Sequence, residues 1–325
     1  MASPKRILFK KIESIMQKVL LTGGHGFLGN EIYKYLKTDC DISVLTLGRS
    51  VNNDIIADVS SSSLSLPSDI NIVVHVAGKA HSIPKTPTEI QEFVDVNFQG
   101  TKNLCEALQN RAKALKSFIF ISTVAVYGLN SGKLITEDSP LNGNTPYAQS
   151  KIMAEEFLRN WASRNGVILG ILRLPLIAGP NPPGNLGAMI NGIKKGKYLS
   201  IGKANARKSI VWAEDIAKII SVIANKGGIY NLTDGYHPSF NELEKAISTA
   251  LKKPYPPKIS LFLARFIARL GDLIGSKSPI NSSKLSKVLS TLTFSDNKAR
   301  EELGWNPTTV TDKIYLIINS NNLSK

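Results

Sequence analysis

The sequence is poor in cysteine and in acidic residues, and both shortages exclude classes of protein. Of 325 residues only two are cysteines, Cys40 and Cys105, and neither lies in a C-x-x-C motif or beside a cluster of histidines. This usage argues against a disulfide framework and a structural zinc site, and it indicates a reducing compartment. Aspartate and glutamate total 25 against 40 lysines and arginines, which gives a net charge of +15. The excess favours an anionic partner, namely nucleic acid, acidic lipid or a phosphorylated small molecule, without choosing among them.

Long uninterrupted hydrophobic runs are also missing. The longest apolar stretch, residues 166–179, is broken by Arg173 and Pro175 and is too short for a transmembrane helix. The first fifteen residues contain no apolar core followed by a small-residue cleavage site, so we expect no signal peptide, and Met16 is an alternative start. The expectation is a cytoplasmic protein.

From residue 18 onwards, short β-branched runs alternate with longer helical patterns. We predict strands over residues 18–22, 42–47, 54–56, 71–77, 117–123 and 167–174. Helices over residues 27–37, 89–111 and 146–165 fill the gaps. Near-continuous apolar strands joined by crossover helices are typical of a parallel sheet that is covered on both faces. The sequence therefore predicts an α/β fold, with a doubly wound parallel Rossmann sheet in residues 16–174.

A smaller mixed region follows Arg173, where prolines and glycines break the regularity. We predict strands at residues 209–212 and 228–232 and helices at 186–195, 214–225 and 240–251. We assign residues 175–325 mainly to a substrate-binding domain, with segments near 209–232 returning to the Rossmann core. Residues 258–274 fit an amphipathic helix, for which a domain wall with solvated arginines is favoured over peripheral membrane contact.

A glycine-rich turn, with Gly23, Gly26 and Gly29, separates the first predicted strand from the first helix and also contains Phe27 and Leu28. Glycine lets the backbone approach a pyrophosphate closely. The N-terminus of the following helix offers free N–H groups and the positive end of its dipole to the same phosphates. In this strand-turn-helix context the pattern indicates binding of NAD or NADP rather than a plain tight turn.

The second predicted strand lacks the acidic residue that accepts a hydrogen bond from the ribose 2′-hydroxyl of NAD. Arg49 and Ser50 stand there instead, and a guanidinium beside a hydroxyl suits the 2′-phosphate of NADP. NADP is therefore slightly favoured. The alternative to this phosphate contact is that Arg49 stacks on the adenine ring or simply faces water.

Tyr147 and Lys151 lie four residues apart, on one face of a predicted helix. This spacing arises readily by chance in a basic chain, but here the helix follows a strand that ends at Thr123. Doubly wound sheets bind ligands at the carboxyl ends of their strands. A nearby cation and the cofactor charge would lower the pKa of the Tyr147 phenol towards neutrality, so that it can act as an acid or a base. Thr123 can then hydrogen-bond the same substrate oxygen. No metal site is predicted.

Together these motifs resemble the extended short-chain dehydrogenase/reductase family, in its nucleotide-sugar epimerase/dehydratase group. The resemblance covers residues 18–311 and extends to segments beyond the three motifs. It implies the following cofactor-binding residues: Gly23, Gly26, Phe27, Leu28, Gly29, Arg49, Ser50, Asp58, Val59, Ala77, Gly78, Lys79, Asn97, Ser122, Tyr147, Lys151 and Pro175.

The resemblance also implies roles for the catalytic residues Thr123, Tyr147 and Lys151. Tyr147 would be the acid or base at the sugar 4-oxygen, Lys151 would hold the nicotinamide ribose, and Thr123 would bridge to the 4-oxygen. The implied substrate-binding residues are Lys79, His81, Thr123, Asn185 and Arg207. For Asn185 a helix cap is the alternative, and for Arg207 an ordinary surface charge.

The resemblance leaves three functions open. Dehydratases of the group carry an Asp-Glu pair after the Ser or Thr, but Val124 and Ala125 stand at that place in this chain, so 4,6-dehydration is not expected. A 4-epimerase of a UDP-hexose or UDP-N-acetylhexosamine, acting through a transient 4-keto sugar, is favoured. The alternative is an NADPH-dependent reductase of a UDP-4-keto-6-deoxy sugar, and an NADP-binding redox sensor is more remote. A homodimer through the predicted helices 89–111 and 146–165 is implied, and no nucleic-acid partner is expected because no recognition motif is present.

Overall fold

The backbone forms thirteen strands in the part of the chain that the computed structural model describes, residues 16–80, 82–109, 114–274, 278 and 280–320. The strands are β1 (Gln17–Thr22), β2 (Ile42–Gly48), β3 (Ile55–Ile56), β4 (Ile72–His75), β5 (Ser117–Thr123), β6 (Gly132–Ile135), β7 (Ile168–Leu174), β8 (Leu176–Ala178), β9 (Ser200–Ile201), β10 (Ile210–Trp212), β11 (Gly228–Asn231), β12 (Lys258–Ile259) and β13 (Leu292–Phe294).

Eleven α-helices join these strands within the described residues. They are α1 (Phe27–Leu36), α2 (Pro87–Phe93), α3 (Gly100–Gln109), α4 (Pro146–Asn165), α5 (Gly184–Lys194), α6 (Ala213–Lys226), α7 (Phe240–Leu251), α8 (Leu261–Ile274), α9 (Ser282–Leu289), α10 (Asn297–Leu303) and α11 (Val310–Ser320). Among the helices described, none has the length and apolar composition needed to cross a bilayer.

Seven strands form one parallel sheet, in the order β3-β2-β1-β4-β5-β7-β11. The strand order reverses between β1 and β4, and in such sheets the crevice that binds ligands opens at the carboxyl ends of the strands on either side of this point. The predicted doubly wound α/β fold is confirmed. Strand β11, far along the chain, forms one edge of this sheet.

Both faces of the sheet are buried because successive apolar side chains of each strand point to opposite sides. Val19 and Leu21 of β1 pack in one core cluster with α1 and α6. Leu20 between them packs in a second cluster with α3 and α4. A third cluster, built by α5, α7 and α11, lies beside the short β8 and β10 pair. The continuous apolar character of the strands thus follows from burial on two sides.

The helix predicted over residues 89–111 is present as one unbroken helical stretch from Pro87 to Gln109, but it is not α-helical throughout. A π-helical segment, Val94–Gln99, interrupts it between α2 and α3, and residues 110–111 lie outside the described part of the chain. A π turn inserts an extra residue and so changes which side chain faces inwards. Here it buries the amide of Asn97, a polar group that the apolar pattern of the helix does not reveal.

The prediction that residues 258–274 form a domain wall is wrong about how the helix packs. Helix α8 is present from Leu261, and Arg265 is solvent-exposed as expected. However, the buried side of α8 carries the small residues Ala264 and Ala268, while its large apolar residues face solvent. An amphipathic pattern identifies two faces of a helix but not which of them packs.

Candidate active site

The glycine turn after β1 has the close backbone packing that the sequence predicts. Gly23 adopts a left-handed φ of +71°, and a Cβ on Gly29 would lie only 2.0 Å from the Gly23 carbonyl oxygen. Gly26 caps α1 without a side-chain hydrogen bond, so no capping side chain occupies the N–H groups of the first turn. This bare turn at a helix N-terminus fits the pyrophosphate of a dinucleotide.

Arg49 and Ser50 follow the end of β2, and both are exposed. Partial burial acts to raise the pKa of the Asp58 carboxyl, but hydrogen bonds from Ser60 and the charge of Arg49 hold it below its usual value. Asp58 and Arg49 are therefore close enough to interact, and Val59 beside Asp58 is buried. The structure brings the residues predicted at this end of the cofactor site into one neighbourhood.

Asn97 of the π-helical segment joins the loop after β4 to the start of α4. Its Oδ1 accepts a hydrogen bond from the Lys79 N–H at 2.7 Å, and its Nδ2 donates to the Lys79 carbonyl and to the Ser150 hydroxyl, each at 3.0 Å. Ser150 in turn donates to the Tyr147 carbonyl at 2.8 Å. Asn97 thus fixes the distance between the predicted cofactor loop and the predicted catalytic helix.

A cleft of about 190 Å³ opens beyond the carboxyl ends of β4, β5 and β7. Its lining residues are Phe27, Val76, Gly78, Lys79, Ala80, Ile121, Ser122, Thr123, Tyr147, Lys151, Leu174, Pro175, Leu176, Ile177 and Pro183. All three predicted catalytic residues are in this lining. The ionisable side chains other than Tyr147 are both lysines, so the cleft favours anionic ligands.

Tyr147 is hydrogen-bonded to the side chain of Thr123, as the shared-oxygen arrangement requires. Burial raises the pKa of the Tyr147 phenol, and the Thr123 hydrogen bond only partly opposes this. In the chain by itself the pKa of this phenol is therefore raised, and the predicted lowering, which includes the charge of the cofactor, stays a prediction. A phenol that is buried and neutral becomes a usable base only when further positive charge reaches it.

Lys151 is buried one turn along α4 from Tyr147. Its Nζ donates to the Ile121 carbonyl at 2.9 Å and lies 4.4 Å from the centre of the Phe120 ring. Burial lowers the pKa of Lys151 to about 8, while the negative charge of Glu155 acts in the opposite direction. Glu155 therefore helps to keep this ammonium protonated.

A buried ion pair between Glu155 and Arg173 lies behind the cleft, and the sequence reasoning did not identify it. The Arg173 guanidinium donates to the Glu155 carboxylate from Nη2 at 2.7 Å and from Nε at 3.2 Å. Ser122, which lines the cleft, donates its hydroxyl to the same carboxylate. The available signal was that Glu155 follows Lys151 by four residues, on the same face of one helix.

The Arg173 side chain extends this network away from the cleft. Its Nη1 donates to the Tyr127 hydroxyl at 3.1 Å and to the Glu137 carbonyl at 3.0 Å. The Tyr127 hydroxyl donates to Asn231 Oδ1 at 2.8 Å. Because Asn231 belongs to β11, the network connects the last strand of the sheet to the catalytic helix.

Three of the five predicted substrate residues are placed at or near the cleft, and one of them is Thr123, which is in its lining. Lys79 is part of the lining, but its ammonium forms an ion pair with Glu92 and lies 5.4 Å from the centre of the Phe93 ring. Asn185 is exposed in the first turn of α5, beside the lining residue Pro183. The N-cap of α5 is Pro183, so the interpretation of Asn185 as a helix cap is wrong.

Of the other two predicted substrate residues, Arg207 is not in the cleft lining. The Arg207 Nη1 donates to the His237 carbonyl at 2.8 Å and lies 3.4 Å from a Glu242 carboxylate oxygen. Its neighbours Asn205 and Ala206 line a second cavity of about 170 Å³. His81 lies outside the described residues.

A model of the NAD dependent epimerase/dehydratase family matches residues 19–233 of this chain. The chain is 28% identical over 299 residues to an N-acetyl-alpha-D-glucosaminyl-diphospho-ditrans,octacis-undecaprenol 4-epimerase of Escherichia coli O157:H7, which covers 86% of this chain and 88% of that relative. It is also 28% identical over 311 residues to a UDP-glucose 4-epimerase of Vibrio cholerae, covering 90% and 91% of the two chains.

The structure of a UDP-glucose 4-epimerase from Thermotoga maritima superposes with a TM-score of 0.74 at 18% identity. The match covers 95% of this chain and 99% of that one, and at this identity it shows a shared fold. The family match extends over the glycine turn, the cleft and β11, which are the parts that carry the predicted chemistry. The chain therefore belongs to the NAD dependent epimerase/dehydratase family and is an enzyme of the extended short-chain dehydrogenase/reductase type.

Proposed function

We propose that this enzyme is an NAD(P)-dependent 4-epimerase of a nucleotide sugar, namely a UDP-hexose or a UDP-N-acetylhexosamine. The observation that carries the proposal is that Thr123, Tyr147 and Lys151 line one cleft, in which no described lining residue is a carboxylate. 4,6-Dehydration needs an acid and a base that remove water across C5 and C6 of the sugar, whereas epimerisation at C4 needs from the chain only a group that moves the 4-hydroxyl proton, since the cofactor takes the hydride. Val124 and Ala125 form the turn after Thr123, where dehydratases carry their acidic pair.

The chain's own residues act on the sugar 4-oxygen. Tyr147 takes the proton from the 4-hydroxyl and later returns it, and Thr123 hydrogen-bonds the same oxygen throughout. The bound nicotinamide dinucleotide supplies the acceptor, and then the donor, of the C4 hydride. Lys151 would hold the ribose next to the nicotinamide, and its positive charge favours the Tyr147 phenolate.

The apolar lining residues Leu174, Leu176 and Ile177 exclude water from the sugar. These side chains carry no polar groups that would bind one orientation of the ring, so they permit the 4-keto sugar to turn over between the two hydride transfers. Epimerisation follows because the hydride then returns to the other face of C4.

The proposed substrate is supported by the two curated relatives, which are both named as 4-epimerases of diphosphate-linked sugars. Asn185 at the mouth of the cleft is proposed as a contact for the diphosphate. The Arg207 guanidinium can contact the substrate only if it gives up its contacts with Glu242 and the His237 carbonyl. This structure therefore supports a substrate contact for Asn185 more than for Arg207. We also propose a homodimer through α4 and the helical stretch from α2 to α3, and light scattering of the purified protein tests the oligomeric state.

A reductase of a UDP-4-keto-6-deoxy sugar is the second candidate, and one observation favours it. Arg49 and Ser50 are exposed just past β2, where a 2′-phosphate can reach them, and NADPH is the usual donor for a net reduction. The same three catalytic residues serve this reaction, with Tyr147 giving a proton to the 4-oxygen.

The test is incubation of the purified protein with UDP-glucose, UDP-N-acetylglucosamine or N-acetylglucosaminyl-diphospho-undecaprenol, with NAD or NADP, followed by NMR of the sugar protons. Appearance of a 4-epimer without net cofactor reduction supports the epimerase. Conversion of none of these sugars, with oxidation of NADPH in the presence of a UDP-4-keto-6-deoxy sugar, supports the reductase instead. Tyr147→Phe should bind cofactor normally and lose turnover in either case, whereas retained turnover would contradict both mechanisms.

A further inference from the structure

The apolar side of α8 faces solvent along its whole length. It carries six large side chains with the exposed fractions Phe262 (82%), Leu263 (45%), Phe266 (56%), Ile267 (37%), Leu270 (50%) and Leu273 (85%). Isolated exposed apolar residues are ordinary, but a contiguous apolar surface on a single helix marks a site of interaction. We call these six residues the α8 face.

The opposite side of α8 fixes this orientation. Ala264 and Ala268 are buried against Leu285 of α9. At Gly271 a Cβ would lie 1.9 Å from the Ile280 carbonyl oxygen, so no larger side chain fits there. The helix packs through its small residues, and rotating it to bury the α8 face would drive phenylalanine and leucine side chains into this narrow contact.

The part of the sequence that contains α8 is rich in positive charge. Residues 252–290 contain eight basic residues and one acidic residue, which is nearly half of the net charge of +15 in about an eighth of the chain. Arg265 and Arg269 are exposed and line a groove of about 440 Å³ between α8 and α9, together with Ser282 and Ser286 of α9 and Ser290, which follows it. Guanidinium and hydroxyl groups are suitable partners for phosphate oxygens.

The apolar α8 face and the nearby arginines together favour one kind of binding partner. An apolar helix face flanked by arginines matches the boundary between the acyl chains and the anionic headgroups of a bilayer. A second copy of the chain would bring a second set of arginines and lysines against the first, and like charges across an apolar contact oppose association. With 14 residues, α8 extends about 21 Å, which is too short to span a bilayer but enough to lie in its surface.

We propose that α8 docks the enzyme on the surface of an anionic membrane, with the α8 face inserted among the acyl chains and Arg265 and Arg269 on the lipid phosphates. Leu261, the first residue of α8, also lines the second cavity, together with Lys203 and Asn205. Docking therefore brings this cavity close to the level of the headgroups. The proposal goes beyond the proposed function, since it depends on neither the sugar nor the reaction.

The experiment is sedimentation of the full-length protein with vesicles of phosphatidylcholine alone or mixed with phosphatidylglycerol, at low and at high salt and without substrate. The wild-type protein should bind the anionic vesicles, and high salt should weaken the binding. The double substitution Phe262→Ser with Leu273→Ser should weaken it by roughly tenfold or more, because two large apolar side chains no longer leave water. Arg265→Gln with Arg269→Gln should also weaken binding and reduce its dependence on salt.

The matched control replaces two exposed apolar residues elsewhere, Val222→Ser in α6 and Tyr315→Ser in α11, and should leave vesicle binding unchanged. The circular dichroism spectra of all variants should match that of the wild type, because the replaced side chains are at the surface.

Absence of wild-type binding to anionic vesicles would overturn the proposal, and so would equal binding by the Phe262/Leu273 variant. If light scattering instead shows a wild-type dimer that this variant dissociates, without vesicle binding, the face is covered by a second copy and the proposal is wrong. Because vesicle binding is read without substrate, its failure is distinct from a failure of the epimerase assay.

Discussion

Glu155→Gln tests whether the buried ion pair behind the cleft stabilises the enzyme and keeps Lys151 charged. Glu155 is 1% exposed and Arg173 is 3% exposed, so the pair is shielded from water. Glutamine keeps the shape of the side chain, but it removes the negative charge and presents an NH2 group where one carboxylate oxygen accepted hydrogen bonds. Arg173 remains buried and positively charged without its counter-charge.

The expected cost follows from this geometry. Removing one partner of a buried pair usually destabilises a protein by about 3–5 kcal/mol, because the remaining charge is left uncompensated. We expect the lower half of this range, since the glutamine oxygen still accepts one guanidinium N–H and Arg173 keeps its bonds to Tyr127 and Glu137. Replacing both partners, with Glu155→Leu and Arg173→Met, should recover much of the loss, because neither charge then remains buried.

Urea unfolding measures the change in stability, and Glu156→Gln is the matched control. Glu156 is the next residue on α4 and is exposed, so its substitution should change the free energy of unfolding by less than about 0.5 kcal/mol. A second measurement is the pH dependence of turnover. Loss of the Glu155 charge lowers the pKa of Lys151 below about 8, so the alkaline decline of activity should move to lower pH. A cost below about 1 kcal/mol together with an unmoved alkaline limb would refute the reasoning.

Three further predictions concern other parts of the site. Gly29→Ala should weaken cofactor affinity by roughly tenfold or more, because the added Cβ would lie 2.0 Å from the Gly23 carbonyl oxygen. Fluorescence titration with NADPH and NADH measures the affinity, and an unchanged Kd would contradict the prediction. Burial lowers the pKa of His75 from 6.5 to about 3, so the stability that its neutral form provides is complete above pH 6.5 and is lost as the pH falls below it, by about 2 kcal/mol at pH 5. Urea unfolding from pH 7 to 5 should show this decline, and His75→Gln should flatten it. Arg49→Ala should raise the KM for NADPH more than the KM for NADH, and an unchanged ratio of the two would exclude Arg49 from contact with a 2′-phosphate.

The parts of this enzyme that the sequence predicts well are those encoded by local pattern. Strand β5 and helices α4 and α7 have the predicted bounds, because apolar periodicity and their end residues are properties of neighbouring positions. The glycine turn and the Tyr147 and Lys151 pair are local in the same sense. Their convergence on one cleft then follows from the rule that parallel strands end at the same edge of a sheet.

The parts that the sequence did not predict depend on packing between distant segments. Glu155 and Arg173 lie on different elements of the fold. In the sequence, each of them taken alone is indistinguishable from a charged residue at the surface. Only the docking of α4 against β7 places both in a dry interior. The sequence did not predict the orientation of α8 for a related reason. The contact between α8 and α9 is narrow, so the small residues Ala264 and Ala268 pack there and the larger apolar side chains do not.

The π-helical segment around Asn97 also limits which insertions and deletions this gene can tolerate. Deleting one residue within Val94–Gln99 would restore the ordinary helical pitch but would rotate α2 by about 100° relative to α3. The helix would then keep either its packing against the sheet or the Asn97 bonds to Lys79 and Ser150, but not both. Variation in chain length among related sequences should therefore avoid this stretch, even though it is a helix, and accumulate in surface loops instead.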